Sequence, residues 1–269
     1  MAVIIKDQLQ GWFPHWPLGR RETIWIWLYL QSQGAGFHHD SFGTRNTRAK
    51  MAHYIKENNL VAKIDSERNR TLLSEHAFDW IERKGRQPAW LLRKAQQTYG
   101  ENQLFPDDLT PRERLVAWFD CWPTKKAYKL EVLEWLNECW VERQLQDKEL
   151  SWYGSAGKER QKCEIAWDWY HEHHKSVAVR AIKFSRFEDI LEFLDGTAFS
   201  QEEKLHHLEQ IKRRFKAKQT QANRQGKRQT NLSLSDAART QLDQLSKRER
   251  MSKTEIIEFL IQTAHERGL

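Results

Sequence analysis

Cysteine, glycine and proline are all scarce in this sequence, and it contains no long apolar run. The three cysteines, Cys121, Cys139 and Cys163, are an odd number without CxxC spacing, which argues against a disulfide framework. No apolar stretch approaches the roughly 18 residues that a membrane-spanning helix needs. The first residues do not form a signal-peptide pattern. We therefore expect a protein of the reducing cytosol.

Sequence motifs for catalysis are also missing. There is no GxxxxGK[ST] phosphate-binding loop and no nucleophile elbow. Cys163, His171, His173 and His174 could suggest a metal site, but Cys163 and His171 are eight residues apart and zinc ligands usually have tighter local spacing. A histidine-rich helix end is favourable on its own, because it complements the helix dipole. We predict no enzymatic activity, no metal and no cofactor.

Helical patterning is what the sequence has in abundance. Apolar residues recur every three or four positions, and 13 tryptophans promise a substantial core in the N-terminal half. We therefore predict a mainly α protein. The predicted helices cover 21–32, 44–58, 89–97, 111–122, 127–145, 159–174, 186–194, 200–214 and beyond, and 236–247, with a last helix capped by Ser252.

The predicted organisation has three parts. Residues 1–150 form a Trp-rich, mainly helical domain of unknown role, and residues 151–158, with two glycines and two serines, end it. Within this domain, 60–64 and 71–73 could be short strands around a turn at 66–69, and two helices followed by a hairpin would resemble a winged helix, an α+β arrangement. Residues 158–226 are predicted to form a helical bundle with a basic helix, and 227–269 a separate C-terminal unit.

Positive charge is concentrated just before that last unit. The net charge of the chain is +7, and residues 201–228 contain nine Lys/Arg against three Glu. A charge run is most often a solvated helix face. Its position next to the C-terminal pattern favours a surface that contacts the phosphates of DNA.

The C-terminal pattern is a short alternating segment followed by two helices. In residues 230–235, Leu232 and Leu234 would point to one side, and Asn231 and Ser233 to the other. Because an isolated strand is not stable, the pattern predicts pairing with the same strand of a second copy. The last helix carries an apolar face too wide for a monomer of this size to hide.

This order of strand, helix and helix resembles the ribbon-helix-helix superfamily of DNA-binding proteins (MetJ/Arc/CopG). Residues 158–269 are further similar to the MatP family, through CEIAWDWYHEHH, FEDILEFLDG, SQEEKLHHLEQIKRRFKAKQ and TNLSLS. The resemblance implies a homodimer whose paired strands enter the major groove as a β-ribbon, with the basic helix and the start of the last helix on phosphate. It assigns base reading to Gln229, Asn231 and Ser233, with Thr230 marginal; phosphate binding to Lys212, Arg213, Arg214, Lys216, Lys218, Arg224, Lys227, Arg228, Ser252, Lys253 and Thr254; and the dimer core to Leu232, Leu234, Leu242, Leu245, Ile257, Leu260 and Ile261.

The expected partners are double-stranded DNA and a second copy of the chain, in a bacterial nucleoid. Chromosome organisation, plasmid partition and transcription regulation all fit such a protein, and the resemblance does not cover residues 1–150. The alternative is a protein-interaction scaffold or an antitoxin-like module. In that case the C-terminal unit mainly dimerises, and residues 1–150 hold a protein partner.

Overall fold

The structure is a computed structural model that describes residues 7–44, 46–100, 104–155, 157–179, 181–224 and 231–268, without the side chains of residues 223 and 224. The described part is mainly α, and none of its helices has the length and apolar character that crossing a bilayer requires. The thirteen helices found there are α1 (Gln8–Trp12), α2 (Arg20–Ser32), α3 (Thr47–Glu57), α4 (Val61–Thr71), α5 (Gln87–Tyr99), α6 (Pro111–Cys121), α7 (Lys126–Glu149), α8 (Glu159–His173), α9 (Lys175–Ala178), α10 (Phe187–Asp195), α11 (Gln201–Arg224), α12 (Asp236–Glu249) and α13 (Lys253–Glu266).

Local capping chemistry determines several of the helix starts. The N–H of Glu113 donates to Thr110 Oγ1 at 3.2 Å, and the N–H of Thr110 donates back to the Glu113 carboxylate at 2.8 Å. Pro111 then occupies the first helical position, where no N–H is needed. The expected helix start at Thr110 is confirmed.

The predicted hairpin in the N-terminal half is wrong. Residues 61–71 are the single helix α4, and the expected turn at 66–69 lies inside it. Thr71 Oγ1 donates to the carbonyl of Glu67 one turn earlier, and Ile64 is fully buried. Burial of Ile64 on a helical face outweighs the weak turn preference of Ser66 and Asn69. Without a hairpin, the winged-helix-like α+β arrangement is wrong as well.

The predicted C-terminal strand, and with it the β-ribbon of a ribbon-helix-helix unit, is also wrong. Residues 231–235 have no regular secondary structure, and no strand occurs among the residues that the structure describes. A strand is defined by ladder hydrogen bonds, and alternation over five residues supplies none of them. Ser235 ends this segment as the N-cap of α12, where its Oγ accepts from the N–H of Ala238 at 3.3 Å.

The chain divides into two compact units, at Phe215 within α11. The first unit contains three hydrophobic clusters. One joins α1 to α4 around Trp25 and Trp27, and the second joins α5, α6 and α7 around Trp118. The third joins α8, α10 and α11 around Tyr170. The tryptophan-rich core expected in the N-terminal half is confirmed.

A buried ion network connects the second and third clusters of this unit. Arg86, before α5, lies 2.7 Å from Asp147 of α7 and 2.8 Å from Asp195 of α10. Arg143 of α7 lies 2.9 Å from Asp195. These contacts tie residues on both sides of 151–158 to each other, and the domain boundary predicted there remains a prediction.

The second unit begins at Lys216 and includes the hairpin of α12 and α13. Arg250 ends α12 in the left-handed conformation, with φ of 54°. Ser246 Oγ donates to the carbonyl of Met251 at 2.6 Å and closes the turn. Ser252 and Glu255 then form a capping box at the start of α13, which confirms the cap predicted at Ser252. Among the described residues of this hairpin, the buried apolar side chain is Ile256, which is 3% exposed.

Candidate nucleic-acid interface

The basic helix α11 has a buried half and an exposed half. From Lys204 to Ile211 one face packs into the third hydrophobic cluster. Glu203 caps the start, accepting from the N–H of Ser200 at 2.7 Å. Beyond Phe215 most positions are exposed. The exposed second half contains Lys216 and Lys218, two of the cations predicted to bind phosphate.

Of the six cations predicted to bind phosphate on α11, Arg214 and Lys212 form ion pairs within the protein. Arg214 donates through Nη1 and Nη2 to the Glu172 carboxylate at 2.5 and 2.7 Å. Lys212 lies 2.7 Å from Glu209 and stacks over the ring of Trp152. A phosphate would have to compete with these contacts.

Two further cations of α11 are better placed for a phosphate. Arg213 and Lys216 are exposed and form no ion pair with the described residues. They are three residues apart on the helix, so their side chains are neighbours on its surface. Lys218 is also exposed, but it already interacts with another group of the protein. Gln229, Thr230, Lys227 and Arg228, and the side chain of Arg224, lie outside the described residues.

The start of α13 offers a second basic surface. Ser252, Lys253 and Thr254 are exposed there, and free N–H groups at a helix start attract anions. Lys253 forms an ion pair with Asp243 of α12, which reduces its availability.

The sequence analysis assigns no role to Lys247, in the last turn of α12, or to Arg250, in the turn before α13. Both are exposed and have no ion-pair partner in the described part of the chain. The signal that could have found them is the run from Ser246 to Arg250, which holds three cations and one acid directly before a helix cap.

The predicted dimer core is only partly covered within one chain. Leu234, Leu242, Leu245 and Ile257 are half-buried, whereas Leu232 is exposed. On α13, Leu260 is 48% exposed and Ile261 63% exposed, next to Phe259 at 59%. Phe259 was absent from the predicted set. The hairpin thus presents an apolar surface that a single chain does not cover.

The residues predicted to read bases have lost the geometric basis for that role. Asn231 and Ser233 are exposed before α12, but no ribbon presents them. Their assignment depended on alternation along a paired strand. The structure does not replace it with another arrangement.

Side chains of the histidine-rich helix end serve packing contacts. His173 stacks on Trp169 with ring centroids 4.6 Å apart, and His171 lies against Trp167 at 3.8 Å. Burial raises the pKa of the Cys163 thiol to about 12, so it stays protonated. Across the described ranges, no three His, Cys, Asp or Glu side chains are grouped closely enough to hold a metal ion.

Comparison of the chain with protein-family models, with curated proteins and with solved structures gave no match in any of the three. The similarity to the MatP family therefore stays a prediction.

Proposed function

We propose that this protein is a homodimeric, sequence-specific DNA-binding protein that contacts phosphates through the second half of α11 and the turn before α13. The observation that carries the proposal is the concentration of exposed, unpaired cations on these two elements. Residues 216–269 contain eleven Lys/Arg and six Asp/Glu, so this unit carries +5 of the +7 of the chain.

Phosphate contact explains why these cations remain unpaired. A surface cation beside a carboxylate has a partner already, as Arg214 has in Glu172. Arg213, Lys216, Lys247 and Arg250 have none among the described residues. The phosphate backbone of DNA supplies closely spaced negative charges to such a surface, and release of its counterions drives binding.

Dimerisation follows from the apolar surface of α13. Phe259, Leu260 and Ile261 are about half exposed or more. Large apolar side chains exposed close together on one helix favour an interface in a soluble protein. A second copy doubles the number of cations available to one DNA segment. The same surface also favours the second candidate, a protein-interaction scaffold in which the hairpin only dimerises.

A gel-shift assay with fragmented genomic DNA over a salt series distinguishes the two candidates. The full chain should retain DNA, with affinity falling steeply as salt rises. Replacing both Arg213 and Lys216 by Gln should reduce the slope of log K against log salt by about two, since each phosphate contact contributes about 0.9. The matched control replaces the exposed Lys175 and Lys183 by Gln. Failure of the full chain to retain any fragment at moderate salt would favour the scaffold.

Sequencing the retained fragments tests specificity. A specific binder enriches a small set of sites, whereas a purely electrostatic binder retains fragments in proportion to their abundance. Enrichment of no site would remove the sequence-specific part of the proposal.

A further inference from the structure

A cationic cavity lies in the first unit and is lined in part by the start of α11. Its volume is about 330 Å³, which is within the range of small-molecule sites. Four cations and one carboxylate contribute to its lining: Arg93, Lys94, Arg143, Lys204 and Asp195. The lining also contains two half-buried aromatic side chains, Trp90 and Phe199.

Lys204 is the decisive residue of this cavity. It is only 8% exposed, yet its ammonium has no hydrogen-bond or ion-pair partner in the described part of the chain. The ammonium itself still reaches the solvent of the cavity, where an anion can contact it. Burial of the side chain and then the nearby Arg143 lower the pKa of Lys204.

The two carboxylates nearest the cavity are already engaged. Asp195 receives hydrogen bonds from Arg86 at 2.8 Å and from Arg143 at 3.1 Å. Asp147 is paired with Arg86 at 2.7 Å. Arg93 donates to the backbone carbonyl of Asp195, which adds no negative charge. The ion network therefore leaves Lys204 and Arg93 in excess.

We propose that this cavity binds a phosphorylated small molecule, with its phosphate between Lys204 and Arg93 and its organic part against Trp90 and Phe199. A phosphate dianion accepts several charge-assisted hydrogen bonds at once and neutralises the excess cations. The arginine guanidinium supplies planar, paired donors, and the lysine ammonium supplies a compact charge. Phosphate sites use both. The cavity exceeds what a bare phosphate needs, and the aromatic side chains give a ring system a surface to contact.

Thermal unfolding and calorimetric titration of the full chain test the site. The probes are inorganic phosphate, adenosine monophosphate, and citrate as a multiply charged anion without phosphate, all at equal ionic strength. We expect phosphate to raise Tm more than citrate does, and adenosine monophosphate to bind more tightly than phosphate. Citrate also stabilises proteins by exclusion from their surface, so it controls for that general effect. An equal rise with citrate would overturn the phosphate assignment.

Variants locate the binding within the molecule. Lys204→Met should weaken phosphate affinity about tenfold or more, the order of one charge-assisted hydrogen bond, while Tm without ligand stays unchanged or rises. Arg93→Gln provides a second test if Lys204→Met does not fold. The exposed control Lys183→Met, and the Arg213→Gln, Lys216→Gln double variant, should keep wild-type phosphate affinity. Undiminished binding by the Lys204 and Arg93 variants overturns the proposal, and loss in the double variant would assign the phosphate to the DNA-binding surface.

Discussion

Arg214 and Glu172 form a two-pronged ion pair, with Nη1 and Nη2 of the arginine at 2.5 and 2.7 Å from the two carboxylate oxygens. The pair fixes α11 against the end of α8. The preceding residue, Arg213, is exposed and is unpaired among the described residues. Two adjacent arginines of the same basic run therefore differ in whether they are available to contact DNA phosphates.

Arg213→Gln and Arg214→Gln should consequently differ in their effect on DNA binding. Arg213→Gln removes a phosphate contact, so affinity should fall for every sequence and the salt slope should decrease by about one. Arg214→Gln should leave the slope near the wild-type value. Fluorescence anisotropy with a labelled duplex over a salt series measures both.

Stability supplies the complementary measurement. Arg214→Gln should lower the free energy of unfolding by no more than about 1 kcal/mol, because the ion pair is partly solvated. Arg213→Gln should leave the free energy of unfolding unchanged. A larger loss of salt slope in Arg214→Gln than in Arg213→Gln contradicts the division of roles.

Local rules predicted much of the helical framework from sequence. Each capping box joins two residues that are three positions apart, so it can be recognised within four residues of sequence. The two examples are Thr110 with Glu113 and Ser252 with Glu255. The same approach failed for α4. Its serine and asparagine are weak turn signals, and the burial of Ile64 against α1 to α3 decides the conformation.

Long-range electrostatics explains what sequence could not predict of the candidate sites. Arg86 and Asp195 are 109 residues apart, and Arg214 and Glu172 are 42 apart. A basic run shows how many cations are present but not which of them the fold pairs. The β-ribbon failed for a related reason, since alternation around Leu232 indicates a face but supplies no partner strand.

Leu260→Glu should disrupt self-association of the chain. Leu260 is 48% exposed and lies between the exposed Phe259 and Ile261 on α13, so a charge there costs little in a monomer and much in a covered interface. Light scattering after size exclusion, over a concentration series, should give a dimer mass for the wild type and a monomer mass for the variant.

Gln262→Glu is the control for this experiment. It adds the same charge to the same helix, at an exposed position that follows Ile261. This variant should remain dimeric. A monomer mass for the wild type at every concentration would contradict the proposed interface.

Because of Lys129, the free energy of unfolding of the first unit should rise in mild alkali. Lys129 is fully buried on α7 and donates to the carbonyls of Thr71 at 2.9 Å and Phe119 at 2.5 Å. Burial lowers its pKa from 10.5 to about 8. Between these values the unfolded chain binds the additional proton, so the free energy of unfolding should rise with pH, by roughly 2 kcal/mol.

Denaturant unfolding at pH 8 and pH 10.5 compares the wild type with Lys129→Met. The variant should lack this component of the rise. Lys148→Met, on the exposed side of the same helix, should keep it. Cys163 makes an opposing contribution: because burial raises its thiol pKa, the fold loses stability as pH increases. This contribution is the same in the wild type and in both variants, so it cancels in the comparison. Parallel pH profiles for the wild type and Lys129→Met would contradict the assignment.

His207 should make the same unit sensitive to acid. Its ring is buried between Trp169, Phe199 and His174, with centroids 4.9, 4.8 and 4.6 Å away. Burial, followed by the nearby His174, lowers its pKa from 6.5 to about 4. As pH falls from 6.5 to 4, the unfolded chain takes up a proton that the folded chain resists. The free energy of unfolding should therefore decrease by roughly 2 kcal/mol.

His207→Leu keeps an apolar side chain in this position and removes the titrating group. Its free energy of unfolding should fall less steeply between pH 6.5 and pH 4 than that of the wild type. His206→Leu, at the exposed neighbouring position, should retain the wild-type acid profile. Because His174 also has a lowered pKa and faces the same cluster, some acid sensitivity should persist in His207→Leu. If His206→Leu flattens the profile and His207→Leu does not, the buried imidazole is not the group that titrates.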